Sequence, residues 1–245
     1  WRVILQPRML LCALTGFTSG LPLYVVLQLV PAWLRDEGVD LTTIALFSLV
    51  GLPWTWKFLW APLVDRFAPP GLGRRRGWAL LTQVGLLVVL AGFGALDPTR
   101  SVTAIAGLVF VLALFSATQD IALDAWRREV LDDNELGLGN AFFVNTYRLA
   151  SLVPGSLALI LADLQPWWVV HLTVAAFMVV GIVTTLVMPE PAAGAARPRT
   201  LGQAVVEPFT AFFRTRGVGG ALLVLGFVVA YKLGDSMATA LATPF

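Results

Sequence analysis

The chain has 245 residues, 58% of them hydrophobic and 13% charged, with a formal net charge of +2. Soluble domains run nearer one half apolar and one quarter charged, so a water-soluble globule is excluded, and so small a charge argues against nucleic acid as a partner. The lone Cys12 excludes an internal disulfide.

Apolar stretches of about twenty residues recur at roughly 9–34, 42–62, 77–96, 102–123, 138–162, 167–188 and 219–242, each long enough to cross a hydrocarbon core as a helix. They run on through the chain, which a cleavable targeting peptide does not explain. The reading is an all-α, multi-span membrane protein with membrane lipid as its solvent. Because the chain starts at Trp1 and stops at Phe245, inside a seventh span, it is expected to be a fragment of a longer protein.

Charge placement sets the topology. With the N-terminus inside, the inner segments hold Arg2, Arg8, Arg66, Arg74, Arg75, Arg76, Arg127, Arg128, Arg197, Arg199, Arg214 and Arg216. The outer loops hold only Arg35 and Arg100, beside the acidic Asp36, Glu37, Asp40, Asp97 and Asp163. The positive-inside rule then places the N-terminus in the cytoplasm and the basic clusters against anionic headgroups.

The expected organisation is a six-helix bundle over 1–190, a cytoplasmic linker over 191–217, and the first helix of a second bundle over 218–245. The linker opens on the helix-poor Pro189-Glu-Pro-Ala-Ala-Gly-Ala-Ala-Arg-Pro198. Thr200-Leu-Gly-Gln203 then resembles a capping box, with Leu201, Val205, Phe209 and Phe212 giving an apolar stripe. A short amphipathic helix kinked near Pro208 is expected, a plain linker being the alternative. Spans one and four carry small polar breaks, Gly16-Phe-Thr-Ser-Gly-Leu-Pro22 and Ser116-Ala-Thr-Gln-Asp120, which fit nested repeats or close helix packing.

The loop between spans two and three carries a motif. Asp65-Arg66-Phe67 followed by Gly73-Arg74-Arg75 resembles the loop-two pattern of the major facilitator superfamily, with Ala61 where that family usually has glycine and Ala68-Pro-Pro-Gly-Leu72 inserted. The wider text is more specific. Lys57-Phe-Leu-Trp-Ala-Pro-Leu-Val-Asp-Arg66, Gly73-Arg-Arg-Arg-Gly-Trp78, Ser116 to Trp126, Gln203-Ala-Val-Val206 and Tyr231-Lys-Leu-Gly-Asp235 resemble the AmpG muropeptide permeases over essentially the whole chain.

That resemblance implies a proton-driven importer of the bacterial inner membrane. It would carry N-acetylglucosaminyl-anhydro-N-acetylmuramyl peptides from periplasm to cytoplasm for cell-wall recycling, a flux that in many such bacteria also controls β-lactamase induction. It also implies that Asp65, Arg66, Gly73, Arg74 and Arg75 form a cytoplasmic gate, in which an aspartate receives hydrogen bonds from helix N-termini of the other half. A solvated anchor loop is the plainer alternative.

Ionisable residues inside a membrane are costly and face a cavity or a partner. The candidates are Lys57, Asp120, Asp124, Arg148, Lys232 and Asp235. Asp120 and Asp124 lie one turn apart on one helix face, with Gln119 about 100° round the helix. With Lys57 as ion-pair partner they are the expected proton-coupling carboxylates. They read equally as a structural ion-pair network, and Asp124 as a partner of Arg127 or Arg128. Arg148, Lys232, Asp235 and Gln119 are candidate substrate contacts, although Lys232 and Asp235, three apart, can also satisfy each other. Tyr24, Trp54, Trp56, Tyr147 and Tyr231 are candidates to stack on sugar or peptide, or else packing and interface anchors. His171, beside Trp167 and Trp168, is expected to be peripheral.

No phosphate-binding loop, metal-ligand cluster or nucleophile–base arrangement is present in the sequence, so neither cofactor nor metal nor enzymatic activity is expected. The competing readings are a facilitator for another large polar solute, such as an acetyl-CoA carrier-like relative, a non-transporting receptor, and an intramembrane enzyme of cell-wall metabolism.

Overall fold

The computed structural model describes the backbone of residues 6–47, 51–191 and 201–242, and the side chains of these except 45–46, 201–209 and 232–242. Among the described residues there is no strand. Among the same residues six helices are long and apolar enough to cross a membrane: Pro7–Asp36, Arg74–Phe93, Val102–Val130, Leu136–Ala162, Trp167–Val187 and Thr210–Tyr231. The protein is a multi-pass membrane protein with the helical architecture expected of half a major facilitator transporter.

The expected second span is the exception. Its residues form the short helices Leu41–Leu46, Leu52–Trp56 and Ala61–Arg66, with a 3-10 turn at Lys57–Leu59. Pro53 and Pro62 each occupy a first-turn position where a missing N–H is harmless, so each starts a new helix. Average hydropathy does not register such restarts, which is why the sequence reads as one span. The breaks bring Trp54 and Trp60 onto span four, where the Trp54 indole N–H donates to Ser116 Oγ at 3.2 Å and that of Trp60 to Thr118 Oγ1 at 3.1 Å.

Span one packs on span five through Gly16 and Gly20. A β-carbon at Gly16 would collide with the Phe143 carbonyl oxygen, and one at Gly20 with that of Tyr147. The small-residue break in span one is thus a close-packing face with glycines four apart, as such faces commonly are in membranes. Both spans then widen into a single π-turn, Val25–Leu29 in one and Val153–Leu157 in the other. The Gln28 side chain lodges against Gly155 between these turns.

The apolar core sits in the half of the bundle near the acidic loops, where Trp33, Phe93 and Trp167 enclose His171 at ring-centroid distances of 4.5, 5.5 and 6.1 Å. His171 is fully buried and, among the described residues, neither ring nitrogen has a hydrogen-bond partner. The expectation of a peripheral histidine is corrected: sequence adjacency to Trp168, which is exposed, gives no view of the opposite helix face.

The chain divides into two compact units, 1–196 and 197–245. The second is helical from Leu201 to Ala242 except at Gly217, whose φ of 67° breaks the helix. The interruption lies there, not near Pro208, because only glycine enters that backbone region without strain. The suggested cap at Thr200, like Arg2, Arg197 and Arg199, lies outside the described residues.

Candidate functional site

Two charged clusters stand out in the bundle. The first lies within the membrane-spanning region, where spans one, four and five meet the broken second span. Asp120 is 8% exposed, and the Ser19 hydroxyl on span one donates to its Oδ1. Lys57 Nζ lies 3.7 Å from Asp120 Oδ2 and 3.7 Å from Asp124 Oδ2, so one cation is shared between two carboxylates a helical turn apart. Asp124 in turn accepts from Arg127 Nη2 at 2.8 Å. The Arg127 guanidinium also donates through Nε to Asn140 Oδ1 at 2.7 Å and lies 3.9 Å from the centre of the Phe143 ring. The outcome is a chain of four groups of alternating charge, Asp120, Lys57, Asp124 and Arg127, ended by the polar Ser19 and Asn140 and joining four spans.

Of the expected partners of Asp124, Lys57 and Arg127 hold it, while Arg128 lies 3.0 Å from Asp133 instead. Gln119 is fully buried, with both side-chain amide atoms lacking a partner among the described residues, so it points into the bundle and not into an open face. Tyr24 and Tyr147 meet edge to face at 6.0 Å above the Gly20 contact.

The other candidates are placed separately. Arg148 is exposed near the middle of the 27-residue fifth span, with no charged partner among the described residues. Trp54 borders a cavity of about 350 Å³ with Leu23, Val26, Ile44 and Phe47. Trp56 is exposed in an apolar recess with Leu52, Pro53, Trp60 and Phe110. Tyr231 is exposed on the second unit. Lys232 and Asp235 follow it, and their side chains lie outside the described residues.

The second cluster closes the basic end of the bundle. Arg75 is 5% exposed; its Nη1 donates to Asp65 Oδ1 at 2.6 Å, its Nε to Glu129 at 3.1 and 3.2 Å, and its Nη2 also meets Glu129. Arg74 donates to Glu129 Oε1 at 3.2 Å and to the Asp65 carbonyl at 3.0 Å. Glu190 accepts from the backbone N–H groups of Arg75 and Arg76 at 3.0 and 2.9 Å, capping the start of span three. Arg76 returns the contact by donating to the carbonyls of Thr185 and Leu186 at the end of span six, at 3.0 and 2.6 Å. Negative charge at one helix start and positive charge at the neighbouring helix end both complement the helix dipoles. Gly73, with φ 88°, favours glycine, and a β-carbon there would press on the Glu190 carboxyl group. Arg66 lies 5.6 Å from the centre of the Phe67 ring.

Sequence reasoning missed Ser19, Glu129 and Glu190. A serine between two glycines reads as part of a small-residue face. Glu129 and Glu190 read as a helix end and a linker start, because their partners lie 54 and 115 residues away.

Residues 8–146 match the family described as acetyl-coenzyme A transporter 1. An uncharacterized protein of Haemophilus influenzae is 47% identical over 244 residues, which is 99% of this chain and 57% of that protein. The anhydromuropeptide permease of Escherichia coli K12 is 46% identical over 245 residues, 100% of this chain and 49% of its own length. The anhydromuropeptide permease of Escherichia coli O157:H7 matches by the same figures. The chain spans about half the length of these curated relatives.

Proposed function

The chain belongs to the acetyl-coenzyme A transporter 1 family, and we propose that it is the first part of a secondary transporter that imports anhydromuropeptides together with protons. The observation that carries this reading is a buried membrane carboxylate, Asp120, held by one hydroxyl and one loosely shared cation. The likeness to anhydromuropeptide permeases over the full chain supplies the substrate class. The reading is of a transporter and not an enzyme, placed in the inner membrane with its N-terminus in the cytoplasm, as the arginine bias favours.

A proton entering from the outer side neutralises Asp120, and Lys57 then remains with Asp124 alone. Release on the inner side restores the pair. Alternating access moves proton and solute together without nucleotide. Arg148 holds a carboxylate of the solute, because an exposed mid-span cation requires an anion or a wet cavity; on the second unit Lys232 and Asp235 are candidates for solute contact by residue type alone. Tyr24 with Tyr147, and separately Trp54, Trp56 and, on the second unit, Tyr231, offer rings to sugar and peptide faces, while the buried Gln119 orients its neighbours. Asp65, Arg66, Gly73, Arg74 and Arg75 brace the cytoplasmic closure, and the remaining half of the longer protein completes the pocket.

The family description favours a second reading, transport of acetyl-CoA. Uptake of labelled anhydromuropeptide by the full-length protein in proteoliposomes separates them. Accumulation driven by an acid-outside gradient is expected, with Asp120→Asn abolishing it. Uptake of acetyl-CoA in preference, or accumulation indifferent to the gradient, overturns the proposal.

A further inference from the structure

We propose that Ser19 is a positioning residue that sets the pH at which Asp120 takes up and releases its proton, an inference that rests on the coupling role given to Asp120 above. The observations are geometric. Ser19 is 1% exposed, and its hydroxyl donates to Asp120 Oδ1 across the interface between spans one and four. It lies between Gly16 and Gly20, the two positions that lock span one onto the backbone of span five, so span five sets the height and rotation of Ser19. Thr15 and Thr18, its neighbours, spend their hydroxyls on carbonyls of their own helix; Ser19 reaches across to another span.

A hydroxyl suits this place because it works in both directions. Toward a carboxylate it donates, favouring the charged form. Toward a neutral carboxyl it accepts the acid proton and turns its own hydrogen to a carbonyl one helical turn back, a bond serine makes readily in helices. Asp120 thus keeps a partner on Oδ1 in both states, and only its contact with Lys57 has to change. The charged and titratable groups facing Asp120 are Lys57 from the broken second span, Asp124 on its own helix with Arg127 behind it, and Tyr147 from span five with Tyr24 against it. Ser19 is the hydroxyl donor among them that the structure shows bonded to Asp120.

The sign follows. Removing the donor destabilises the carboxylate, so the proton is held to higher pH. In full-length protein reconstituted in proteoliposomes, Ser19→Ala is expected to move the midpoint of the pH dependence of anhydromuropeptide uptake upward by roughly one unit, the scale of a hydrogen bond to a charged group. Ser19→Thr, which keeps the hydroxyl, restores the midpoint, and Ser19→Cys, of nearly the same volume but a weak donor, falls between. A Ser19→Ala curve scaled down at every pH with its midpoint unmoved marks a packing role and overturns the proposal, as does an unmoved midpoint in Ser19→Cys should the alanine variant not fold. Asp120→Asn distinguishes the premise: if it still accumulates solute with normal pH dependence, the coupling role fails and Ser19 with it. If it loses accumulation while Ser19→Ala and Ser19→Cys leave the midpoint in place, only the Ser19 inference fails.

Discussion

The two charged clusters both set cations against carboxylates and are held very differently. At the basic end, Arg75 gives every arm of its guanidinium to Asp65 or Glu129, the Asp65 contact at 2.6 Å, and Glu190 and Arg76 cross-cap two helices. In the membrane region, Lys57 stands 3.7 Å from each of two carboxylates and keeps a third of its side chain exposed. A buried cation with all its donors used cannot change partner without leaving a desolvated charge behind. A cation at arm's length from two acids can shift its weight from one to the other at small cost. The tight cluster braces; the loose one is able to change state.

That contrast can be broken by exchanging the clusters' roles. Glu129→Ala should cost about 3 kcal/mol, read as a clear drop in thermal midpoint, because Arg75 keeps only Asp65. Asp120→Asn should cost about 1 kcal/mol or less, since Lys57 retains Asp124 and the amide still accepts from Ser19, while proton-driven accumulation disappears. A reversal, with Asp120 the costlier loss, would make the membrane cluster the brace.

Next in size is Gly20→Ala. The added methyl group must push span one off the Tyr147 carbonyl, at about 2 kcal/mol, and it carries Ser19 away from Asp120. Uptake should therefore fall more than stability alone explains, as judged by comparing initial rates with thermal midpoints. Gly73→Ala should cost about 1–2 kcal/mol through its positive φ and the Glu190 contact, with the pH profile of uptake unmoved.

The smallest effect is at the acidic end. The Thr43 hydroxyl, and then the Thr43 backbone N–H, hold the exposed Asp40 carboxyl below the usual carboxylate range. A group depressed in the fold contributes above its ordinary titration range and loses that contribution as pH falls through the depressed value. Asp40 should start to release the Leu41–Leu46 helix only in strong acid, and Thr43→Val should return its NMR titration toward the ordinary range.

The sequence made every span but the second legible, and the pairing of Asp120 with Asp124 on one helix face, because hydropathy over about 20 residues and a spacing of four are local properties. Lys57 was legible too, as an unpaired cation in an apolar run. The restarts at Pro53 and Pro62 were not, since a proline in a membrane span is compatible with a continuous helix when neighbours absorb the break. Nor were Ser19, Glu129 and Glu190, whose roles depend on which helix faces them. The glycines at 16 and 20 were visible as a break, but whether such a face meets a backbone or only bends is decided by span five.

A π-turn holds one residue more than the α-helical turn it replaces. Spans one and five each carry one, at Val25–Leu29 and Val153–Leu157, packed against each other through Gln28 and Gly155. Each extra residue rotates everything beyond it by roughly 100° about the helix axis. Since both spans take this step at the same level, each presents beyond it a face that an unbroken α-helix would have turned elsewhere. Deleting one residue from either turn would swing the rest of that span by about 100°, like a gear slipped by a tooth against the partner it now meets.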